Sequence, residues 1–230
     1  MKEKREGKIL LLVFALFLTL CSLCPTSEDT EMLGKALDYF QGGKFHESLL
    51  LFEKLDKKYK LNPRFRAYMG VCYYYDWDYE KACEYLDSMI PQMAPFAPHE
   101  RSVYYYSNAE SHFNLGQYEE AKAYYEQMLN VCYDNEKSDG LYRLGYCYLF
   151  TEDSLTAYEY FSSALEYYRQ FRMNDQQSRI AQLDRMVKGF HVEAPDINED
   201  VRDTIRSRII KDIHLDDIFQ DVIEVLDEAR

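Results

Sequence analysis

Four stretches of the chain repeat one pattern of apolar and polar positions. Each begins with a small residue, places a large apolar residue four positions later and adds another apolar residue three positions after that: Ser48, Phe52 and Leu55; Ala82, Leu86 and Met89; Ala121, Tyr125 and Met128; Ala157, Phe161 and Ala164. Intervals of four and then three follow one face of an α-helix. The pattern therefore predicts four helices, each with one buried stripe.

A second small residue precedes each stripe by twelve positions, and an aromatic or histidine ring follows it by three. The small residues are Ala36, Gly70, Ala109 and Gly145, and the rings are Tyr39, Tyr73, His112 and Tyr148. Turn-forming residues separate the two halves at Gly42 and Gly43, 76–78, Leu115 and Gly116, and Glu152 and Asp153. The spacing predicts four helical hairpins whose two small sites face each other, because a close helix crossing has no room for large side chains.

This pattern resembles the tetratricopeptide repeat family, whose units have about 34 residues. Met69-Gly70 with Tyr73 and Ala82, and Leu144-Gly145 with Tyr148, Ala157 and Phe161, carry the resemblance best. The first and third units depart from it at Lys35-Ala36, Ser48 and Asn108-Ala109, and the family's proline at position 32 is missing throughout. The resemblance implies an all-α fold, a helical-hairpin solenoid of about four repeats over residues 29–171.

Prolines and a changed apolar spacing divide the rest of the body. Pro91, Pro95 and Pro98 predict a loop between the second and third repeats, with Met93 and Phe96 packed back on the body. Residues 172–230 lack the repeat sites, so we expect them to form capping helices with a polar outer face. Their apolar residues keep helical spacing in three runs: Met173, Ile180, Leu183 and Val187; Val201, Ile205, Ile209 and Ile213; Ile218, Phe219, Val222 and Val225 or Leu226.

Residues 1–24 have the layout of an export signal, with a mostly basic start followed by an uncharged apolar run from Ile9. Cys21 and Cys24 stand where a bacterial lipoprotein signal, which this segment resembles, places its lipidated cysteine. Their neighbours Leu20 and Leu23 depart from that family's small residue. Ordinary cleavage and an uncleaved anchor remain alternatives. We expect an exported, membrane-attached protein, on the periplasmic or outer-membrane face if it is bacterial.

Charge and cysteine spacing restrict the classes of ligand. A formal net charge of −13 would repel a phosphate backbone, so we do not expect nucleic acid as a partner. The spacing of Cys72, Cys83, Cys132 and Cys147 contains no Cys-x-x-Cys, which disfavours a zinc site. These cysteines are expected to be small buried residues, although an exported setting permits disulfides whose pairing cannot be read from sequence.

No catalytic motif stands out. His46, His99 and His112 have structural explanations in a turn, after the proline loop and at the repeat's usual tyrosine site, and His191 with Glu193 is too small a set for a metal. Nucleophile elbows, P-loops and glycine-rich nucleotide turns are missing from the sequence. We expect no enzyme activity, no cofactor and no bound metal.

The family resemblance implies a concave face lined by the first helix of each repeat. The side chains expected there to bind a partner are Phe40, Tyr74, Tyr75, Tyr106, Phe113, Asn114, Tyr142, Tyr146 and Phe150. Tyrosine favours interfaces because it combines a large contact area with one hydroxyl. The expected function is that of an adaptor for another protein; a lipoprotein assisting outer-membrane protein assembly and a carbohydrate-binding accessory protein are alternatives. The tyrosines could instead pack between repeats or against the C-terminal helices.

Overall fold

The computed structural model describes residues 26–193 and shows an all-α protein. Within this range there are nine α-helices and no strand. The helices are α1 (Ser27–Gln41), α2 (Phe45–Tyr59), α3 (Pro63–Tyr75), α4 (Tyr79–Met89), α5 (Pro98–Asn114), α6 (Tyr118–Leu129), α7 (Asp134–Phe150), α8 (Ser154–Phe171) and α9 (Gln177–Glu193), with a short 3₁₀ turn at Ile90–Gln92. Helices α1 to α8 pair into four consecutive hairpins, which confirms the predicted solenoid.

Each hairpin is closed by a connection of three residues with one geometry. The middle residue is left-handed in all four, at Gly43 (φ 70°), Trp77 (62°), Gly116 (74°) and Glu152 (64°). The backbone N–H of the residue after it donates to a carbonyl five residues back, as between Lys44 and the Tyr39 carbonyl at 2.8 Å. This pattern satisfies a carbonyl at the end of each first helix.

The small residues allow the paired helices to approach closely, in two different ways. In the first hairpin the hydroxyl of Ser48 donates to the Ala36 carbonyl at 2.8 Å, so the two small sites face each other as predicted. In the second, a Cβ at Gly70 would lie 2.6 Å from the Cγ of Leu86, and the fourth repeats this arrangement with Gly145 against the Phe161 ring. These glycines therefore make room for the large apolar residue of the second helix.

The first helix is fixed to the second through a buried carboxylate. Asp29 completes a capping box with Thr26 and also accepts hydrogen bonds from Lys58 at 2.7 Å and from the Tyr59 hydroxyl at 2.5 Å. The hydrogen bond from Lys58, followed by those from Thr26 and Tyr59, lowers the pKa of Asp29 well below its usual value. The start of α1 is thus held to α2 by polar contacts.

The proline junction packs on the body, as the sequence predicts. Met93 is fully buried, and Phe96 lies edge-on to Tyr104 and under the guanidinium of Arg64, whose central carbon is 4.5 Å from the ring centroid. The insertion consequently extends the core between the second and third repeats.

The cysteines of the described region are free thiols. Cys72, Cys83 and Cys147 are buried and Cys132 is partly buried, in agreement with the expectation of small buried residues. Among residues 26–193, no helix has the length and apolar character needed to cross a membrane, and no group of histidine, cysteine and acidic side chains is arranged to hold a metal ion.

Both ends of the predicted domain scheme fall outside the described residues. The signal at 1–24 with Cys21 and Cys24 lies there, as do the capping segments beyond Glu193. Helix α9 lies within the predicted capping region and packs against α8. The boundaries 29–171 and 172–230 stay predictions.

Candidate functional site

The first helices of the middle repeats form a pocket of about 220 Å³ on one side of the solenoid. Helix α3 packs beside α5, and the N-terminal part of α7 completes the wall. We call this site the groove pocket; it is lined by Tyr75, Ser102, Val103, Tyr106, Ser107, Met128, Glu136 and Asp139. The structure thus brings Tyr75 and Tyr106 together from the predicted set.

Two side chains give the groove pocket an open apolar edge. Tyr75 is 50% exposed and stacks face to face on Phe45 with 3.9 Å between ring centroids, while Tyr74 meets it edge-on at 4.9 Å. Val103 is 40% exposed on α5. The Tyr75 ring is therefore held on one face and available on the other.

A charged network lies beside the Tyr106 side of the pocket. The Glu110 carboxylate is 2% exposed; it accepts hydrogen bonds from the Tyr125 hydroxyl at 2.5 Å and from Arg143 Nη2 at 2.6 Å. Arg143 Nε also forms an ion pair with Glu110, at 2.6 Å. Burial, and then the charge of Glu110, raise the pKa of the Tyr125 hydroxyl far above its usual value. Burial, and then Glu110, also raise the pKa of the Tyr106 hydroxyl, so both phenols stay protonated.

Three aromatic rings extend the surface toward the closed end of the third and fourth hairpins. Phe113 lies 5.5 Å from Tyr118 and 6.0 Å from Phe150, measured between ring centroids, and the Arg143 guanidinium covers Phe113 at 4.8 Å. Phe150 is half exposed. Asn114 is exposed, and its amide donates to the Glu110 carbonyl at 2.6 Å. Phe113, Asn114 and Phe150, all expected from the sequence to bind a partner, therefore lie close together.

Tyr142 and Tyr146 contact α9, which is the alternative arrangement given above, in which the tyrosines pack against the C-terminal helices. Tyr142 is 6% exposed, and the guanidinium of Arg179 sits 4.1 Å from its ring centroid. The Gln182 amide lies 3.4 Å from the Tyr142 hydroxyl and 3.5 Å from that of Tyr146. Burial, with the hydrogen bond to Tyr142, raises the pKa of Tyr146 to about 12. Both tyrosines serve to attach the C-terminal helix.

Phe40 is likewise part of the packing between repeats. Its ring stacks on Tyr68 of the next repeat at 4.5 Å and meets Phe45 edge-on at 5.6 Å. Most of its surface is thus used within the solenoid, whereas Tyr75, two turns along α3 from Tyr68, keeps an open face.

The acidic side of the groove pocket was missed in part by the sequence analysis. Glu136 accepts from the Tyr133 backbone N–H at 3.0 Å and pairs with His99 at 3.1 Å; Asp139 accepts from the Tyr168 hydroxyl and from Arg172 at 2.8 Å. Both carboxylates remain more than a third exposed. The signal for Glu136 was its position three residues after Tyr133, the N-cap of α7, where it completes a capping box.

A second polar cluster joins α4, α5 and Gln117, the residue before α6. His112 is 6% exposed and binds the Asp87 carboxylate at 3.2 Å and the Gln117 amide oxygen at 2.6 Å. Burial lowers the pKa of His112, but hydrogen bonds with Asp87, Cys83 and Gln117 outweigh it and raise the pKa to about 10. The imidazolium is thus an internal crosslink between the second and third repeats.

Comparisons with known proteins agree with the hairpin geometry. A family model described as Tetratricopeptide repeat matches residues 109–131, which include the last six residues of α5 and all of α6. The solved structure of the MamA RS-1 ArsTM double mutant is similar, with a TM-score of 0.51 at 16% identity over 75% of this chain and 99% of that one.

Nearly identical TPR-like repeats of a Podosopora anserina protein described as a kinesin light chain have a TM-score of 0.48 at 15% identity. They cover 73% of this chain and 97% of theirs. No curated protein matches the chain.

Proposed function

We propose that this chain, whose helical hairpins resemble tetratricopeptide repeats and whose residues 109–131 match that family's model, is a non-catalytic adaptor whose groove pocket binds a segment of another protein. The observation that carries the proposal is the half-exposed Tyr75 ring beside Val103, at the mouth of a cavity of about 220 Å³. An aromatic side chain held on one face and open on the other offers contact area at little entropic cost.

The framework around the pocket supports binding without rearrangement. Arg143 and Tyr125 hold Glu110 by two short hydrogen bonds and an ion pair, and Tyr106 lies edge-on against Tyr125 at 6.3 Å between ring centroids. A surface fixed in its binding geometry loses less conformational entropy when a partner docks. Binding energy is then concentrated on Tyr75, Val103 and Tyr106.

Variants at the exposed edge test this proposal with little risk to the fold. Tyr75→Ala and Val103→Asp should each remove the partner captured by crosslinking in the native cell, while the melting temperature changes little. Leu50→Ala is the matched control, because Leu50 is exposed to a similar degree but lies on α2 outside the pocket. Capture that survives both groove variants would rule out the groove pocket as the binding site.

The same experiment also distinguishes two alternative functions. Tyrosine rings also stack on sugars, so glycan binding that depends on Tyr75, with no captured protein, would favour a carbohydrate-binding accessory protein. A captured outer-membrane assembly component would narrow the adaptor to that process.

We further propose that the protein is exported and membrane-attached through residues 1–24. The basic start, the apolar run and the two cysteines support this proposal. Mass spectrometry of the mature N-terminus distinguishes the routes: a lipidated Cys21 or Cys24 indicates an anchor, an unmodified new N-terminus indicates simple cleavage, and an intact Met1 indicates a retained segment.

A further inference from the structure

One segment outside the described residues has the chemistry of a ligand for the groove pocket. Residues 201–213 carry Arg202, Arg206, Arg208 and Lys211 against Asp203 and Asp212, an excess of two positive charges in a chain whose formal net charge is −13. Its apolar residues recur at helical spacing. The segment is therefore both basic and amphipathic.

Two of these arginines share the apolar face of the predicted helix. Arg202 and Arg206 are related by the same intervals of three and four to Ile205 and Ile209. Burying that face also takes two guanidinium groups out of water, which is unfavourable unless carboxylates receive them. The surface that covers this segment must therefore combine apolar side chains with acidic ones.

The groove pocket provides that combination. Tyr75 and Val103 are its apolar edge, Glu136 and Asp139 are its carboxylates, and no basic side chain lines it. Arg172 already binds Asp139, whereas the side-chain partner of Glu136 is His99. On α9, by contrast, Asp184 already binds both Arg169 and Lys188. Glu136 is thus the better acceptor for an added guanidinium.

The course of α9 leads the chain toward the groove. Arg179 contacts Tyr142 and Met186 contacts Tyr146, so α9 runs parallel to α7 and ends near the Phe150 end of that helix. Glu136 and Phe150 are separated by about 21 Å along α7. A connection that spans this distance would bring Arg202 and Arg206 to Glu136.

The connection after α9 also differs from the four hairpin turns. Each of those turns has three residues with a left-handed middle residue. Seven residues, 194–200, separate Glu193 from Val201, and they include Pro195 and no glycine. Seven extended residues reach roughly 25 Å. The sequence therefore does not predict a fifth hairpin of the same kind, and the tether is long enough to enter the groove.

We propose that residues 201–213 bind in the groove pocket of the same chain, with Arg202 or Arg206 on Glu136, and so compete with an external partner. This inference rests on the proposed function, since it assigns an internal regulator to the same surface. A tethered segment competes at high effective concentration, so even weak docking would reduce binding of an outside protein.

Trypsin digestion of the full chain tests the docking. Cleavage after Arg208, followed by mass spectrometry, reports how often the segment leaves the groove, because proteolysis tracks the open population when reclosing is fast. Glu136→Gln should accelerate this cleavage about 10-fold, since it removes the carboxylate charge. Glutamine also fits the third position of a capping box, so α7 keeps its start.

The control is Glu120→Gln, an exposed acidic residue on α6 outside the pocket, which should leave the cleavage rate unchanged. The double variant Glu136→Lys with Arg206→Glu should restore the protection that Glu136→Lys alone removes. Equal cleavage rates in the parent chain and Glu136→Gln would overturn the inference, whether the segment is then open throughout or protected elsewhere.

Partner capture separates this result from the proposed function. If both hold, Arg202→Glu with Arg206→Glu should increase the captured partner several-fold while Tyr75→Ala abolishes it. If no partner is captured yet Glu136→Gln still accelerates cleavage, the proposed function fails and the internal docking stands. If capture is the same with and without the two arginine changes, the competition is disproved.

Discussion

The two halves of the solenoid are built from the same hairpin but have differently connected cores. In repeats three and four, a single cluster of buried side chains runs from Tyr105 through Tyr125 and Phe161 to Leu183 on α9. In repeats one and two, the buried residues divide into two smaller clusters, one around Phe52 and the other around Met93, which extends to Tyr104 of the third repeat. Since each repeat is stabilised mainly by its neighbours, a continuous core couples its repeats more strongly than a divided one.

Enlarging a small residue at a helix crossing should have the largest effect on stability. The extent of the unfolding should differ between the two halves. Ala82 and Ala121 occupy equivalent positions and are both fully buried. Replacing either with tryptophan should cost about 3 kcal/mol, because the paired helices must move apart. Ala121→Trp should lower the melting temperature of the whole chain, measured by circular dichroism. Ala82→Trp should instead increase hydrogen exchange mainly in α1 to α4. An unchanged melting curve for Ala121→Trp would contradict the close helix crossing.

The positions of these small residues could be predicted from sequence because steric constraint leaves a visible period. The hairpins, the turns and the burial of Met93 follow from spacing and from prolines. The sequence left open whether Tyr142 binds a partner or packs against the C-terminal helices, because the answer depends on α9, whose sequence has no repeat sites. Glu136 was missed for a related reason: its capping role is local, but its place in the pocket arises from the packing of α3, α5 and α7.

A smaller loss of stability is expected when the Tyr125 hydroxyl, which donates to Glu110, is removed. Tyr125→Phe removes a hydrogen bond to a buried carboxylate and should destabilise the C-terminal half by about 1 to 3 kcal/mol in urea unfolding. Tyr73→Phe is the counterpart in the N-terminal half, where the hydroxyl donates to the more accessible Glu53 at 2.7 Å. We expect a smaller loss of stability there. A larger loss of stability in Tyr73→Phe than in Tyr125→Phe would contradict this expectation.

The stability that the His112–Asp87 contact gives to the junction of the two halves should depend on pH. The pKa of His112 is raised from an ordinary value of 6.5 to about 10, so the protonated ring favours the folded state. This stabilisation is fully present below about pH 6.5 and is lost as the pH rises toward 10. The melting temperature should therefore fall across that range in the parent chain and much less in His112→Gln. His46→Gln is the control, since His46 pairs with Asp76 at the exposed turn and should retain most of the dependence.

The smallest expected change compares two equivalent turns. Trp77 and Gly116 hold the same left-handed position, but only glycine adopts it without steric cost. Trp77→Gly should leave stability unchanged or raise it by less than about 1 kcal/mol, whereas Gly116→Trp should lower it by about 1 kcal/mol. Thermal melting of both variants measures the difference. A marked loss in Trp77→Gly would show that the indole contributes to the fold.

The indole at position 77 also decides what light emission can report. It is the chain's sole tryptophan and is 78% exposed, at the tip of the second hairpin. Its spectrum in the native protein should already resemble that of a hydrated fluorophore, so heating the core will hardly shift the emission maximum. A fluorescence assay of this tryptophan would therefore change little while the interior unfolds. It would respond when another molecule covers that tip.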